Sequence, residues 1–175
     1  MTIGNNRSAP VALAASFAAA LTVAAAGPAS AELLTEKSLS LAQSLAMAQA
    51  AAETCKAQGY RVTVTVLGRE GETRVVLRGD GASPHTVENS RRKAYTARTV
   101  RMSSADFAKR VADPATAPTA SAQATLPGFI ALAGALPVKV GDDVIGAIGV
   151  SGAPGGERDE VCAKAGLDKI AADLK

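Results

Sequence analysis

The chain has no tryptophan, three phenylalanines and two tyrosines, so aromatics are 3% of its 175 residues. A core of that composition is built from Ala, Val, Leu and Ile in closely packed elements, and no interleaving of aromatic and basic residues offers a stacking platform for nucleobases. There is one histidine, His85, and there are two cysteines, Cys55 and Cys162. One imidazole excludes an HExxH metal site, and cysteines outside any CxxC pair leave no ligand cluster for structural zinc. A Ser-His-Asp triad would have to use His85, and no GxSxG elbow is present. No glycine-rich stretch continues into GK[ST], and none fits GxGxxG, which removes the phosphate-loop and dinucleotide fingerprints. The paired acids, Asp142-Asp143 and Glu157-x-Asp159, fall in a turn and at a helix start, where acids answer the helix dipole. No catalytic constellation emerges, and the formal charge of +3 calls for no nucleic-acid partner.

Long apolar runs are also absent, with one exception near the N-terminus. Arg7 precedes an alanine-rich run from Val11 to Ala26, then Gly27-Pro28 and Ala29-Ser30-Ala31. That is the basic, apolar and A-x-A order of a secretory signal peptide, and the run is short for a membrane span. Residues 1–31 are expected to be removed, and residues 32–175 to form one domain, periplasmic or secreted, without a stable membrane span. A retained anchor is the alternative. In an exported chain an even cysteine count, with one cysteine near each end of the domain, predicts a Cys55–Cys162 disulfide.

Residues 35–58 read as a helix with Thr35 as N-cap, Gly59 at C′, and Leu41, Leu45, Ala48, Ala52 and Cys55 on its apolar face. Residues 60–67 and 73–78 alternate with period two around a turn at Gly68–Gly71 and predict a hairpin. A second helix is expected over 86–101 with Thr86 as N-cap, and a shorter one over 104–111. Residues 112–127, rich in Pro, Ala and Thr, read as irregular. Strands follow at 129–132, 137–140 and 144–150, and a last helix at 158–174 has Cys162, Gly166, Ile170 and Leu174 on one stripe. Hairpins at both ends predict an α+β fold: an antiparallel sheet, the first and last helices together on one face, and two middle helices.

His85 stands in the stretch LRGDGASPHT, preceded by Arg74 and Arg78 and followed by RRKAYTARTVR. A neutral imidazole in a loop can ligate haem iron; a surface residue opening the next helix is the plain alternative. Arg91, Arg98 and Arg101 recur at i, i+7 and i+10, and guanidinium forks suit carboxylates. A solvated helix face is the other reading of that run. Ser151–Gly156 precedes a helix whose free N–H groups can hold an anion, or is simply a tight strand-to-helix connection.

AQGYRVTVTVLGREG at 57–71, LRGDGASPHT at 77–86, RRKAYTA at 91–97 and GDDVIGAIGVSGAPGGERDEVCAKAG at 141–166 together resemble the haem-binding GlcG/HbpS-like family, once catalogued as a domain of unknown function. The resemblance runs from the first helix to the last. It implies a profilin-like α/β sandwich, assembly into homo-oligomers, and haem as cofactor or cargo, with a sensor or transport protein as a possible partner. Combined with the residues above, it yields His85 as iron ligand and Arg78, Arg91 and Arg98 as propionate partners. Some family members carry Glu-x-x-Glu at the start of the second helix; here the positions are Glu88 and Arg91. The alternative is an accessory protein or enzyme of a metabolic operon that binds another small anionic ligand, an organic acid or a corrinoid.

Overall fold

The computed structural model describes residues 1, 2, 4 and 31–175. The expected signal segment therefore lies almost wholly outside the described residues. The chain divides into two units, Met1–Thr35 and Glu36–Lys175. All the regular structure described is in the second.

Helix α1 runs over Leu41–Ala57. Its start is at Ser40 rather than at the expected Thr35. Ser40 Oγ accepts from the Gln43 N–H at 3.1 Å, and Gln43 Oε1 accepts from the Ser40 N–H at 3.0 Å. This reciprocal capping box satisfies two backbone donors, and Thr35 has no Gln or Glu three residues on to build one. Ser40→Ala is expected to cost about 1 kcal/mol, measured as a lower urea midpoint at unchanged slope. Gly59 takes the left-handed C′ position, as the sequence predicts, with φ +81°.

The buried face of α1 is Ser44, Met47, Ala48, Ala51 and Cys55, while Leu41 and Leu45 are exposed. The leucines of the predicted stripe are replaced on the buried face by Ser44, Met47 and Ala51, and the neighbouring helix comes very close there. That neighbour is α5, Gly156–Lys169. A Cβ on its Gly166 would lie 2.6 Å from Met47 O and 3.2 Å from Ala51 Cβ. A disulfide joins Cys55 to Cys162 across the same contact, with Cα atoms 5.6 Å apart.

Among the described residues four strands form the sheet: β1 Thr63–Leu67, β2 Thr73–Arg78, β3 Ala135–Val140 and β4 Asp143–Ser151. Their order is β2-β1-β4-β3, antiparallel throughout, with a hairpin at each edge and the β1–β4 pair in the centre. Val64, Val66, Ile148 and Val150 pack into the core shared with α1 and α5. The opposite face is covered by α2, His85–Val100. There Thr63 and Thr65 hydroxyls bond those of Thr86 and Ser90, each at 2.7 Å. A Cβ on Gly149 would lie 2.3 Å from Ser90 O, so α2 rests directly on the sheet.

The α+β fold class is as expected, with three middle helices instead of two. After α2 and α3, Ser104–Ala112, the stretch expected to be irregular contains α4, Ala117–Ala124. Pro118 stands in its first turn, where no N–H is needed, and Ala120 packs against Phe107. The expected strand at 129–132 is not one. Its backbone groups are taken by α2 side chains: the Ile130 N–H donates to Thr96 Oγ1 at 2.9 Å, and Arg92 donates to Phe129 O. Phe129 joins Tyr95 and Phe107 in an aromatic cluster, with ring centroids 5.7 and 5.8 Å away. The last helix begins and ends earlier than expected, and a short 3₁₀ turn, Ala171–Asp173, follows it.

Candidate functional site

The start of α2, the segment before β3 and the loop between β4 and α5 enclose a cleft of about 490 Å³. His85, Thr86, Asn89 and Lys93 line it from α2, with Leu132 and Ala133 opposite and residues 151–153, 155 and 156 at one end. The loop that delivers His85 is held by its own backbone. The Gly79 N–H donates to Val62 O at 2.9 Å and the Ala82 N–H to Gly79 O at 3.1 Å. Gly81 turns it at φ +72°, a conformation that side chains rarely adopt. Arg78 donates through Nη2 to Ala82 O at 2.6 Å and so ties the strand end to the loop.

Helix α2 starts one residue before the expected cap. Thr86 does not cap it; the hydroxyl is buried, donates to Ser83 O at 2.6 Å and bonds Thr63. His85 is thereby the first helical residue, exposed at the cleft, and its ring makes no hydrogen bond among the described residues.

Inside the cleft lies an ion pair that sequence reasoning missed. Lys93 Nζ is 2.7 Å from Asp159 Oδ2, and the two side chains are 4% and 3% exposed. Lys93 also donates to Val150 O at 3.1 Å, and Asp159 Oδ1 accepts the Ala153 N–H at 2.9 Å. Burial pushes the Asp159 carboxyl above the usual carboxylate range, and Lys93 and the Ala153 N–H pull it back only in part. Gly134 makes room for the pair, since a Cβ there would lie 2.9 Å from Lys93 Nζ. The signal was available in the sequence. Thr86, Ser90, Lys93, Ala94 and Ala97 fall at i, i+4, i+7, i+8 and i+11, the spacing of a buried helix face.

The glycine-rich loop supports the plainer of its two readings. Gly155 precedes α5 with φ +113° and no side-chain cap. The Glu157 carboxylate covers that end: a Cβ on Gly155 would lie 2.2 Å from Glu157 Oε1. An acid of the chain itself therefore answers the helix dipole.

The predicted arginines are spread over the molecule. Arg91 pairs with Glu88 on the same helix, at 3.0 and 2.8 Å, and this holds the Glu88 carboxyl below its usual range. Being exposed, the pair contributes only about 0.3–0.5 kcal/mol. Arg98 is half-buried and lines a shallow cavity of about 220 Å³ beside Arg69 and Tyr95. Arg78 borders a third cavity, at the end of the first hairpin. Each of these cavities among the described residues takes at most one of the four predicted residues, and Arg91 lines none of them.

An antiparallel sheet between two helix layers, with a single exposed imidazole at a glycine-walled cleft, is the frame on which the comparisons bear. The family model described as "Haem degrading protein HbpS-like" matches residues 39–168. HbpS itself is 40% identical, with a TM-score of 0.72 over 82% of this chain and 95% of that one. A double mutant of HbpS from Streptomyces reticuli is 39% identical, with a TM-score of 0.72 over 82% and 97%. The chain belongs to the HbpS-like family of haem-degrading proteins. The haem complex of PduOC shares the fold at 22% identity, with a TM-score of 0.68 over 75% of this chain and 94% of that one. No curated protein matches the chain.

Proposed function

We propose that this chain is an exported haem-binding protein that senses, stores or sequesters haem, with His85 as the protein ligand to its iron. The observation that carries the reading is the exposed, unbonded imidazole at a 490 Å³ cleft in a chain of a haem-linked family. The porphyrin supplies four nitrogens to the iron, so one side chain suffices where a bare ion needs several. That fits a chain in which, among the described residues, no three His, Cys, Asp or Glu side chains converge. When bound, haem would supply the redox-active iron; the protein's part is to hold it, to orient it and to limit water.

Ala131, Leu132 and Ala133 offer the ring an apolar wall. Arg78, Arg91 and Arg98 are the candidate propionate partners in this reading. None of them shares a cavity with His85 or with another of the three, so at most one of them meets a propionate, and in this reading a homo-oligomer brings it there from a second copy. Export is supported by the leader-like N-terminus and by the disulfide, which persists in oxidising compartments. Among the described residues no helix is long and apolar enough to cross a membrane.

The test is a hemin titration of the chain from Glu32, followed by absorbance, beside a His85→Ala variant. A saturable Soret band is expected for the parent, with about tenfold or greater loss of affinity in the variant. Free-hemin spectra throughout would end the haem reading, and identical titrations would remove His85 from it.

A further inference from the structure

The cavity that Arg78 borders, of about 460 Å³, lies at the open end of the first hairpin, where the end of α1 meets β1 and β2 and the loop toward His85 begins. Its wall is apolar: Ala52, Tyr60, Val62 and Leu77. Tyr60 is held in place by Arg158, whose Nη1 donates to the phenol oxygen at 3.2 Å and whose guanidinium carbon is 5.9 Å from the ring centroid. The lip carries three cations, Lys56, Arg61 and Arg78, and two acids, Glu53 and Asp80. Among the described residues none of the five joins an ion pair. Arg78 is engaged with Ala82 O, which leaves Lys56 and Arg61 as the open cations. Arg61 lies across the loop, where a Cβ on Gly81 would be 3.0 Å from its Cδ.

We propose that this cavity is a binding site for a small aromatic monocarboxylate, separate from the His85 cleft; Arg78, tied to Ala82 O, is the one residue it shares with the haem reading. The ring packs against Tyr60, Val62 and Leu77, and the carboxylate lies between Lys56 and Arg61. An apolar wall by itself would accept any hydrocarbon of the right size. Unpaired cations at its lip select one with a negative end. Lys56, Arg61 and Arg78 outnumber Glu53 and Asp80, and Arg158 stands behind the Tyr60 ring, so the lip is net positive and favours an anion. Glu53 and Asp80 disfavour a second carboxylate, and this separates the site's ligand from a dicarboxylate porphyrin. The volume is within the roughly 300–1,000 Å³ of small-molecule sites.

The experiment is calorimetric titration of the oxidised full chain with 2-naphthoate, with 2-naphthol as the uncharged control. One saturable site is expected, about tenfold weaker in a Lys56→Ala, Arg61→Ala double variant and unchanged by His85→Ala. Both substituted positions are exposed, so the fold persists, which far-UV dichroism checks. No saturable heat with the parent, or equal affinity in the double variant, overturns the proposal. Equal binding of 2-naphthol overturns carboxylate recognition. Displacement of 2-naphthoate by hemin makes the cavity the tetrapyrrole's seat and overturns its separation from the haem site. A failed hemin titration with intact naphthoate binding ends the haem reading and leaves this one standing.

Discussion

A chain with both Cys55 and Cys162 replaced by alanine is expected to unfold with about 4–5 kcal/mol less free energy than the oxidised parent. The crosslink closes a span of 107 residues, from the end of α1 to the middle of α5. On the chain-entropy model, a loop of that length removes much of the freedom of the unfolded chain. Domains of this kind have about 5–15 kcal/mol in all, so the loss takes a large share of it. The two cysteines are fully buried, between helices that already pack through Met47, Ala51 and Gly166. The native contact therefore survives in the variant, and the effect falls mainly on the unfolded state. Urea unfolding of both proteins without reductant measures it. A difference under about 1 kcal/mol would show that residual structure in the unfolded chain already holds the two helices together.

The Lys93→Met variant is expected to lose about 3–5 kcal/mol, because it leaves Asp159 buried and uncompensated. The loss depends on pH. Burial already raises the folded-state pKa of Asp159 above its unfolded value, so ionisation of this carboxyl opposes folding. Its unfavourable contribution is absent below the unfolded pKa and grows as pH rises toward the folded pKa. Removing the lysine raises the folded pKa further and widens that window upward. The variant is therefore nearest to the parent in mild acid and furthest from it at neutral pH. Adding Asp159→Asn removes the charge and keeps an acceptor for the Ala153 N–H, so the double variant should recover much of the loss at neutral pH. Urea midpoints for the three proteins between pH 4 and pH 8 decide this. A double variant no better than Lys93→Met would mean that packing around the lysine stem, and not the orphaned charge, carries the effect.

His85 illustrates how far local reading went at the site. The sequence marks it as the only imidazole, and the loop glycines mark the turn before it. That it opens a cleft follows from where α2 lands on the sheet, and Thr65–Ser90 and the close approach at Gly149 fix that landing. The arginines show the opposite outcome. Arg91 has a ready partner at i−3, and Arg98 faces the hairpin turn, so helical spacing alone does not bring them to the imidazole.

Period-two alternation at 73–78 determined β2 to the residue, and the paired cysteines determined which helices meet. Gly59 determined the end of α1, because a left-handed cap costs glycine little. These are local properties, set by dihedral freedom, side-chain period and covalent chemistry. Tertiary structure decided the rest. Phe129 and Ile130 pair with side chains of α2 and not with a strand, since a segment's backbone bonds depend on what lies beside it. Leu41 and Leu45 face water because α1 turns the side that carries Ser44, Met47, Ala48, Ala51 and Cys55 to the core, where Gly166 of α5 comes close. Lys93 and Asp159, 66 positions apart, became one buried pair only when α2 and α5 closed over the same end of the sheet.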